Sequence, residues 1–444
     1  MTSTARFLLL FVCWAAPAAA QQTTITVDTT DALIDRIVHI SVTGLPPQQQ
    51  VVLRSFIRAD SANALVAVAT YGSDRTGHVE LSRDASVAGT YTGIDPMGLF
   101  WSGRYTPLEQ LRGIDLPRAA VQPPQPLKVL VTASIGDSVV AQATITRRFA
   151  ASNVTMEMVR AGDVVGQLFV PAKAAAPVVI VLSGSEGGYE SSAYTARMLA
   201  AHGFAAFAQA YFRADGLPDE LASIPVERVR RGIKWLRARK NIDATRVAIV
   251  AGSRGTELAL LSANLYPDVR AVVLYSTSIT TGGGLRRNGE PHDEAAWTYN
   301  NRPFPVSRVQ PPPEALAQFS RPDPVRLRLL FEPGLRDADA IERAAIPLSN
   351  MRAHVLVISG IDDQMGPSDI AGDMLLERLA RTGHKGRHIH LKYPEAGHVI
   401  GIPFMPTAMR LRPWRFAYGG TLAGYAHADA DSWPRVLEFL RTAL

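Results

Sequence analysis

The 444-residue chain has a single cysteine, Cys13, and no apolar run long enough to span a bilayer as a permanent helix. Cys13 lies in FLLLFVCWAA, behind Arg6 and ahead of Pro17-Ala18-Ala19-Ala20-Gln21. A short positive region, a short apolar core and an Ala-x-Ala exit describe a secretory signal peptide, residues 1–20. Val12 precedes Cys13 where a lipid-attachment site would need a small residue, so the cysteine belongs to the signal core. Cleavage after Ala20 leaves a mature chain without a thiol. That excludes disulfides, a cysteine nucleophile and a cysteine metal site. The next methionine is Met97, and starting there would discard most of the strand-rich region described below. The expectation is export, to a periplasm or outside the cell.

Blocks of charge are also missing. Lys+Arg number 46 against 40 Asp+Glu, a formal +6. The basic side is almost all arginine and thinly spread, whereas phosphate contact needs a clustered stripe. No nucleic-acid partner is expected. The chain shows no metal-ligand spacing, no GxGxxG and no P-loop lysine pattern, so no metal, nucleotide or other cofactor is expected. At 47% hydrophobic and 19% charged it reads as a soluble globular protein with room for two or three domains.

What is present falls into two regions. Residues 24–148 hold short runs rich in Val, Ile and Thr: TTITVDTT, VHISVTGL, VVLRSFI, LVAVATYG, GHVELS, LKVLVTAS and VVAQATITRRF. Gly/Pro turn signals separate them, which predicts an antiparallel, immunoglobulin-like sandwich. SVAGTYTGIDPMGLFWSG reads as an irregular, aromatic-bearing loop that plugs one end of it. Residues 152–444 change character. VVIVLSG, FAAFAQAYF, RVAIVAG, VRAVVLYS, HVLVISG and IHLKYP are continuous apolar runs, as expected of parallel strands buried on both faces. SSAYTARMLAAHG, VERVRRGIKWLRARK, GTELALLSANLY and SDIAGDMLLERLARTG read as helices between them, the last with Ser368 as N-cap and Gly383 as stop. This alternation predicts an α/β domain with helices on both faces of a mostly parallel sheet. A Pro/Gly-rich insertion at about 279–350 interrupts it. It either caps a site or is a surface excursion.

The chemistry gathers at strand ends. Ala251-Gly252-Ser253-Arg254-Gly255 lies between an apolar strand and a helix, in the small-x-nucleophile-x-small pattern of a nucleophile elbow. A hydroxyl is a weak nucleophile near neutral pH and needs a base, which in turn needs an orienting acid. In an α/β-hydrolase domain the acid and base follow the serine in that order. Gly360-Ile361-Asp362-Asp363 follows one later strand and Glu395-Ala396-Gly397-His398 the next. His398 is the candidate base. Asp363 is the candidate acid and Asp362 its alternative. His384, His388 and His390 precede the turn and read as packing or surface residues, and His292 has no evident partner. The oxyanion needs two backbone donors. One is the N–H of Arg254. The other comes from Ser183-Gly184-Ser185-Glu186-Gly187-Gly188, at Ser185 or Glu186.

These phrases together, from VHISVTGLPPQQQVVLRS through LSGSEGGYESS, AGSRGTELAL and ISGIDDQMGPS to YPEAGHVIGIPF, resemble the acyl-CoA thioesterase and bile acid-CoA:amino acid N-acyltransferase family across nearly the whole mature chain. The resemblance implies a β-sandwich ahead of an α/β-hydrolase domain, and the triad Ser253, Asp363 and His398. It implies an acyl thioester as small-molecule substrate. Family members with a serine nucleophile are mainly hydrolases, while the transferases carry cysteine, so Ser253 points to hydrolysis. The signal peptide departs from the family, whose members meet acyl-CoA inside cells. The alternatives are therefore an exported carboxylesterase without thioester preference, an acyltransferase, or a binding module that has lost activity. Whether the Arg254 side chain lines the pocket mouth or lies in solvent stays open.

Overall fold

Two kinds of strand build two kinds of sheet. The computed structural model describes residues 22–111, 113–114, 116, 125–173, 175–307, 310–411 and 415–444. The expected signal peptide with Cys13 lies outside these residues. In the first region, Thr24–Val27, Ile40–Thr43 and Val79–Glu80 form a three-stranded sheet. Facing it is a larger sheet ordered Asp31–Leu33, Ser138–Arg148, Leu127–Ile135, Gln50–Arg58, Asn63–Gly72, Ala88–Gly89, with Arg104–Pro107 also paired to Asn63–Gly72. Pairing is antiparallel except where Asp31–Leu33 joins Ser138–Arg148. Alternation sends Ile40, Val42 and Val79 from one sheet, and Leu53, Ala67, Val131 and Ile145 from the other, into one core. Met97, Leu99, Phe100 and Trp101, on a single helical turn, are buried in that same core.

The second region carries an eight-stranded sheet. Its strands are β1 (Val154–Ala161), β2 (Val164–Pro171), β3 (Ala176–Leu182), β4 (Ala205–Ala210), β5 (Ile242–Gly252), β6 (Val269–Tyr275), β7 (His354–Gly360) and β8 (His388–Tyr393), in the order β1-β2-β4-β3-β5-β6-β7-β8. Only β2 runs against the common direction of the other seven strands. The continuous apolar runs now have a cause. Val178, Ile180, Val247, Ile249, Val272 and Val355 face one core, while their sequence neighbours Val179, Val181, Ala248, Val250, Val273 and Leu356 face another. Each such side chain, fully buried, adds roughly 1.5–3 kcal/mol before conformational entropy is counted.

Helices cover both faces. α1 (Glu190–Ala201) and α5 (Leu422–Ala443) pack on one side, through residues such as Met198, Leu199, Trp433 and Leu440. α2 (Glu227–Arg237), α3 (Arg254–Leu265) and α4 (Ser368–Arg381) pack on the other, through Ile233, Leu258 and Leu375 among others. The sandwich docks on the α1/α5 side. Ile34, Leu127 and Phe149 enter that core, and the buried Asp35 carboxylate accepts a hydrogen bond from Trp433 Nε1 (2.8 Å) and bonds His202 Nε2 (2.5 Å).

Three features were not anticipated. β1 and β2 were unassigned, because β1 is an edge strand whose Met156 and Met158 are half exposed, so it lacks a continuous apolar run. Helix α5 was unassigned, its small residues and internal Pro434 blurring the helical period. Ser368 is not an N-cap. It is the first helical residue of α4, after Pro367, and its hydroxyl is engaged elsewhere.

Candidate active site

Ser253 stands where β5 stops and α3 begins. Its backbone adopts φ 50°, ψ −125°, a conformation that costs a non-glycine residue about 1–3 kcal/mol. Neighbouring strands hold it there. The Ser253 N–H donates to Tyr275 O at the end of β6 (2.9 Å), and Ser253 O accepts from the N–H (3.0 Å) and hydroxyl (2.6 Å) of Thr256. On the other side β3 presses against the turn. A Cβ on Gly255 would meet the Ser183 carbonyl oxygen at 2.3 Å, so only glycine fits. The turn thus presents the Ser253 hydroxyl to His398 Nε2. It also places the Arg254 N–H in the first turn of a helix, where amides have no intrahelical partner.

His398 reaches Ser253 from the turn after β8. Its Nε2 lies 3.1 Å from Ser253 Oγ, and its Nδ1 lies 2.9 and 3.0 Å from the two Asp363 oxygens. The histidine backbone is fixed at both ends: its N–H donates to Tyr418 O (2.9 Å), and its carbonyl accepts from Ser276 Oγ (2.7 Å). The Tyr418 ring stacks parallel to the imidazole, centroids 6.3 Å apart. Gly397 permits this approach, since a Cβ there would lie 2.3 Å from Tyr418 O.

Asp363 is fully buried and saturated with donors. Besides His398 it accepts from Met365 N–H (2.9 Å), Gly366 N–H (3.1 Å) and Ser368 Oγ (2.6 Å). These donors fix the carboxylate with an oxygen facing the ring. Burial pulls the His398 pKa down, but the charge and hydrogen bond of Asp363, with the charge of Glu186, outweigh it and leave the imidazole above its ordinary value. Asp362, the alternative acid, points elsewhere. It accepts from Gly420 N–H (2.8 Å) and Gln364 Nε2 (2.6 Å), holding the strap that carries Tyr418.

The loop expected to supply the second oxyanion donor follows β3. Gly187 N–H donates to Gly184 O (3.3 Å), closing a turn with Ser185 and Glu186 at its corners. Tyr211 Oη props it from below, bonding Ser183 O (2.8 Å) and Gly184 O (2.9 Å). The Arg254 side chain is one-fifth exposed and tied to neighbouring groups. Its Nη1 donates to the buried Glu257 carboxylate (2.5 Å) and its Nη2 to Gly283 O (2.7 Å). Glu257 also accepts from Gly282 N–H (2.9 Å) and Trp297 Nε1 (2.7 Å), so α3 grips the insertion at three points.

Sequence reasoning missed a second grip. Arg328, in the insertion, donates to Ile361 O (3.0 Å) and Asp363 O (3.3 Å) and pairs with Asp369 (3.0 Å). Val325 pairs with the chain next to Phe416, two residues ahead of Tyr418. The insertion, spanning β6 to β7, therefore braces the loops that carry Asp363 and His398. The remaining histidines lie apart from this group. His390 bonds Asp373 (2.8 Å) and Ser359 Oγ (3.1 Å), His384 bonds Ala353 O (3.0 Å), His388 approaches Gly386 O (3.3 Å) and His292 approaches Glu220 (3.4 Å). Among the described residues no group of three or more His, Cys, Asp or Glu could hold a metal ion, and no helix is long and apolar enough to cross a membrane.

Comparison with known proteins places the chain in a lineage. Residues 35–161 match the acyl-CoA thioester hydrolase/BAAT N-terminal region, and residues 224–444 match the BAAT/acyl-CoA thioester hydrolase C-terminal region. The chain belongs to this family. A mouse bile acid-CoA:amino acid N-acyltransferase is 29% identical over 429 residues, covering 93% of this chain and 96% of that protein. Human acyl-coenzyme A thioesterase 1 is 26% identical over 433 residues, covering 92% and 94%. Among solved structures, a dienelactone hydrolase-like promiscuous phosphotriesterase aligns with a TM-score of 0.41 and 17% identity, over 66% of this chain and 99% of that one. As a family member the chain is an enzyme of acyl transfer, a thioester or ester hydrolase or an acyltransferase, built on an α/β-hydrolase domain behind a β-sandwich.

Proposed function

We propose that the protein is a serine hydrolase that cleaves acyl thioesters through an acyl-enzyme. One observation carries the reading: the hydroxyl of a backbone-strained Ser253 lies 3.1 Å from His398 Nε2, while the opposite ring nitrogen faces the buried Asp363. Ser253 Oγ attacks the thioester carbonyl as His398 Nε2 takes its proton. The oxyanion forms beside the Arg254 N–H and the N–H of Ser185 or Glu186. Collapse breaks the carbon–sulfur bond, and His398 returns the proton to the departing thiolate. Water, deprotonated by His398, then attacks the acyl-serine, releasing a carboxylic acid and restoring Ser253. Asp363 holds the ring tautomer and balances the imidazolium. The chemistry asks nothing of a cofactor.

A fluorophosphonate probe should label Ser253. The Ser253→Ala variant should lose label and roughly 10⁴- to 10⁶-fold in turnover while remaining folded. Unchanged hydrolysis in that variant refutes the assignment. The leader-like first twenty residues favour a second substrate reading, an exported carboxylesterase, since acyl-CoA is an intracellular metabolite. A panel of thioesters, aryl esters and lactones separates the readings. Fractionation of expressing cells tests export, which fails if the full-length chain stays with the cytosol.

A further inference from the structure

We propose that Glu186 sets the charge preference of this active site, disfavouring an anionic group near the scissile carbonyl and favouring a cationic one. The inference rests on the reading of Ser253 as nucleophile. The geometry is close. A Cβ on Gly184 would lie 2.8 Å from Glu186 Oε2 and 3.2 Å from Ser253 Cβ, so the carboxylate and the nucleophile face each other across the width of one glycine. The other oxygen, Oε1, accepts from Ser191 Oγ at the start of α1 (2.7 Å), which restrains the side chain of this exposed residue. Its negative charge also reaches His398, Tyr418 and Tyr211, on three sides of the site.

The nearby cations are committed elsewhere. The Arg254 guanidinium is paired with buried Glu257. Arg213 lies on the outer side of the loop, where it donates to the backbone carbonyls of Glu186 (3.1 Å) and Arg287 (3.2 Å) and covers the Phe212 ring. Asp363 is sealed beneath His398, its charge matched by the imidazolium when one forms. The carboxylate that an incoming acyl group meets is therefore that of Glu186. A unit charge a few ångströms from it, partly screened by water, experiences a bias of roughly five- to tenfold in rate. The substrate class is an acyl thioester or ester that is neutral or bears an ammonium close to its carbonyl. Acyl groups ending in a nearby carboxylate are poor substrates.

The experiment uses three thioesters of one length whose acyl chains carry a β-ammonium, a neutral amide or a β-carboxylate. In the wild-type protein kcat/KM should fall in that order, by roughly five- to tenfold per step, and the spread should narrow at high ionic strength. Glu186→Gln, which keeps the backbone N–H, should bring the three values together, while Glu186→Asp should keep the order. Because His398 loses a neighbouring negative charge, the acid limb of the Gln variant should move to lower pH. A flat wild-type series, or an unchanged spread in Glu186→Gln, overturns the proposal. Fluorophosphonate labelling of Ser253 in the same variants reports separately on the nucleophile: labelling with no charge preference defeats only the role of Glu186, whereas absent labelling defeats the parent reading.

Discussion

Glu257 lies on α3 just past the nucleophile, 2% exposed, with three donors on two oxygens. Oε1 accepts from Arg254, while Oε2 accepts from Gly282 N–H and Trp297 Nε1. Glu257→Ala deletes all three bonds. It leaves the buried Trp297 Nε1 and the part-buried Gly282 N–H unpaired and strands a guanidinium whose Nε is already buried without a partner. Removing one member of a buried pair in this way costs about 3–5 kcal/mol. Glu257→Gln is different. Its amide nitrogen must face a donor somewhere, and the least costly place is opposite Arg254, which keeps 20% side-chain exposure and can turn to water. Both bonds at the Oε2 position then survive, and the loss is one charge-assisted hydrogen bond, about 1.5–3 kcal/mol. The urea midpoint at constant slope, followed by tryptophan fluorescence, should rank wild type above Gln and Gln above Ala. In a double-mutant cycle, Arg254→Met should cost less once Glu257 is Gln than in the wild type, the remainder being the lost bond to Gly283 O. A Gln variant as unstable as Ala, or two variants each within about 0.5 kcal/mol of wild type, refutes the reasoning.

The two adjacent aspartates should separate cleanly. Asp363→Asn should lower kcat about 10⁴-fold, whereas Asp362→Ala, which only frees the Gly420 strap, should keep most activity; steady-state kinetics on both variants checks this. The raised His398 pKa makes the free base available only at higher pH, so kcat/KM should fall as pH drops through a value above the ordinary histidine range. The same shift acts oppositely on stability. The Asp363–His398 pairing stabilises fully below the unfolded histidine pKa, and that contribution fades as pH rises through the folded one, which urea midpoints of wild type and Asp363→Asn across pH should reveal. Gly255→Ala drives a methyl to 2.3 Å from a strand carbonyl and should destabilise by about 1–3 kcal/mol or more while removing activity, measurable by thermal melting and probe labelling.

The parts of the site that could be read in advance obey local rules. A buried strand running straight into a helix through Ala251-Gly252-Ser253-Arg254-Gly255 leaves little freedom, and a carboxylate and a histidine at the ends of later strands follow from chain order. Gly360-Ile361-Asp362-Asp363 already favours Asp363 over Asp362, and the fold adds the reason: the turn points Asp363 at His398 and leaves Asp362 on the Gly420 N–H. Ser368 shows the limit from another side. A serine opening a helix ordinarily caps it, but here the buried Asp363 claims the hydroxyl, and a tertiary partner outcompetes the local one. Arg328 left no local trace, because its role is defined by carbonyls 33 and 35 residues further along. Edge strand β1 and helix α5 escaped for compositional reasons, the first half exposed and the second carrying Pro434 and many small residues within a continuous helix.

The link between Arg328 and the acid loop bears on how this enzyme could be rebuilt. A segment between two strands of an α/β-hydrolase looks like a natural point of exchange, a cassette to be trimmed or swapped for a new specificity. Here the cassette is also scaffolding. Its arginine ties down the peptide on either side of the Asp363 carboxylate, and its Val325 pairs with the chain that brings Tyr418 over His398. A minimal version lacking residues 279–350 would lose the partners of Arg254 and Glu257 beside Ser253 as well as the tie to the loop of Asp363. Any graft that preserves turnover must carry an arginine equivalent, so recombination at this junction is constrained by the catalytic centre it appears to leave untouched.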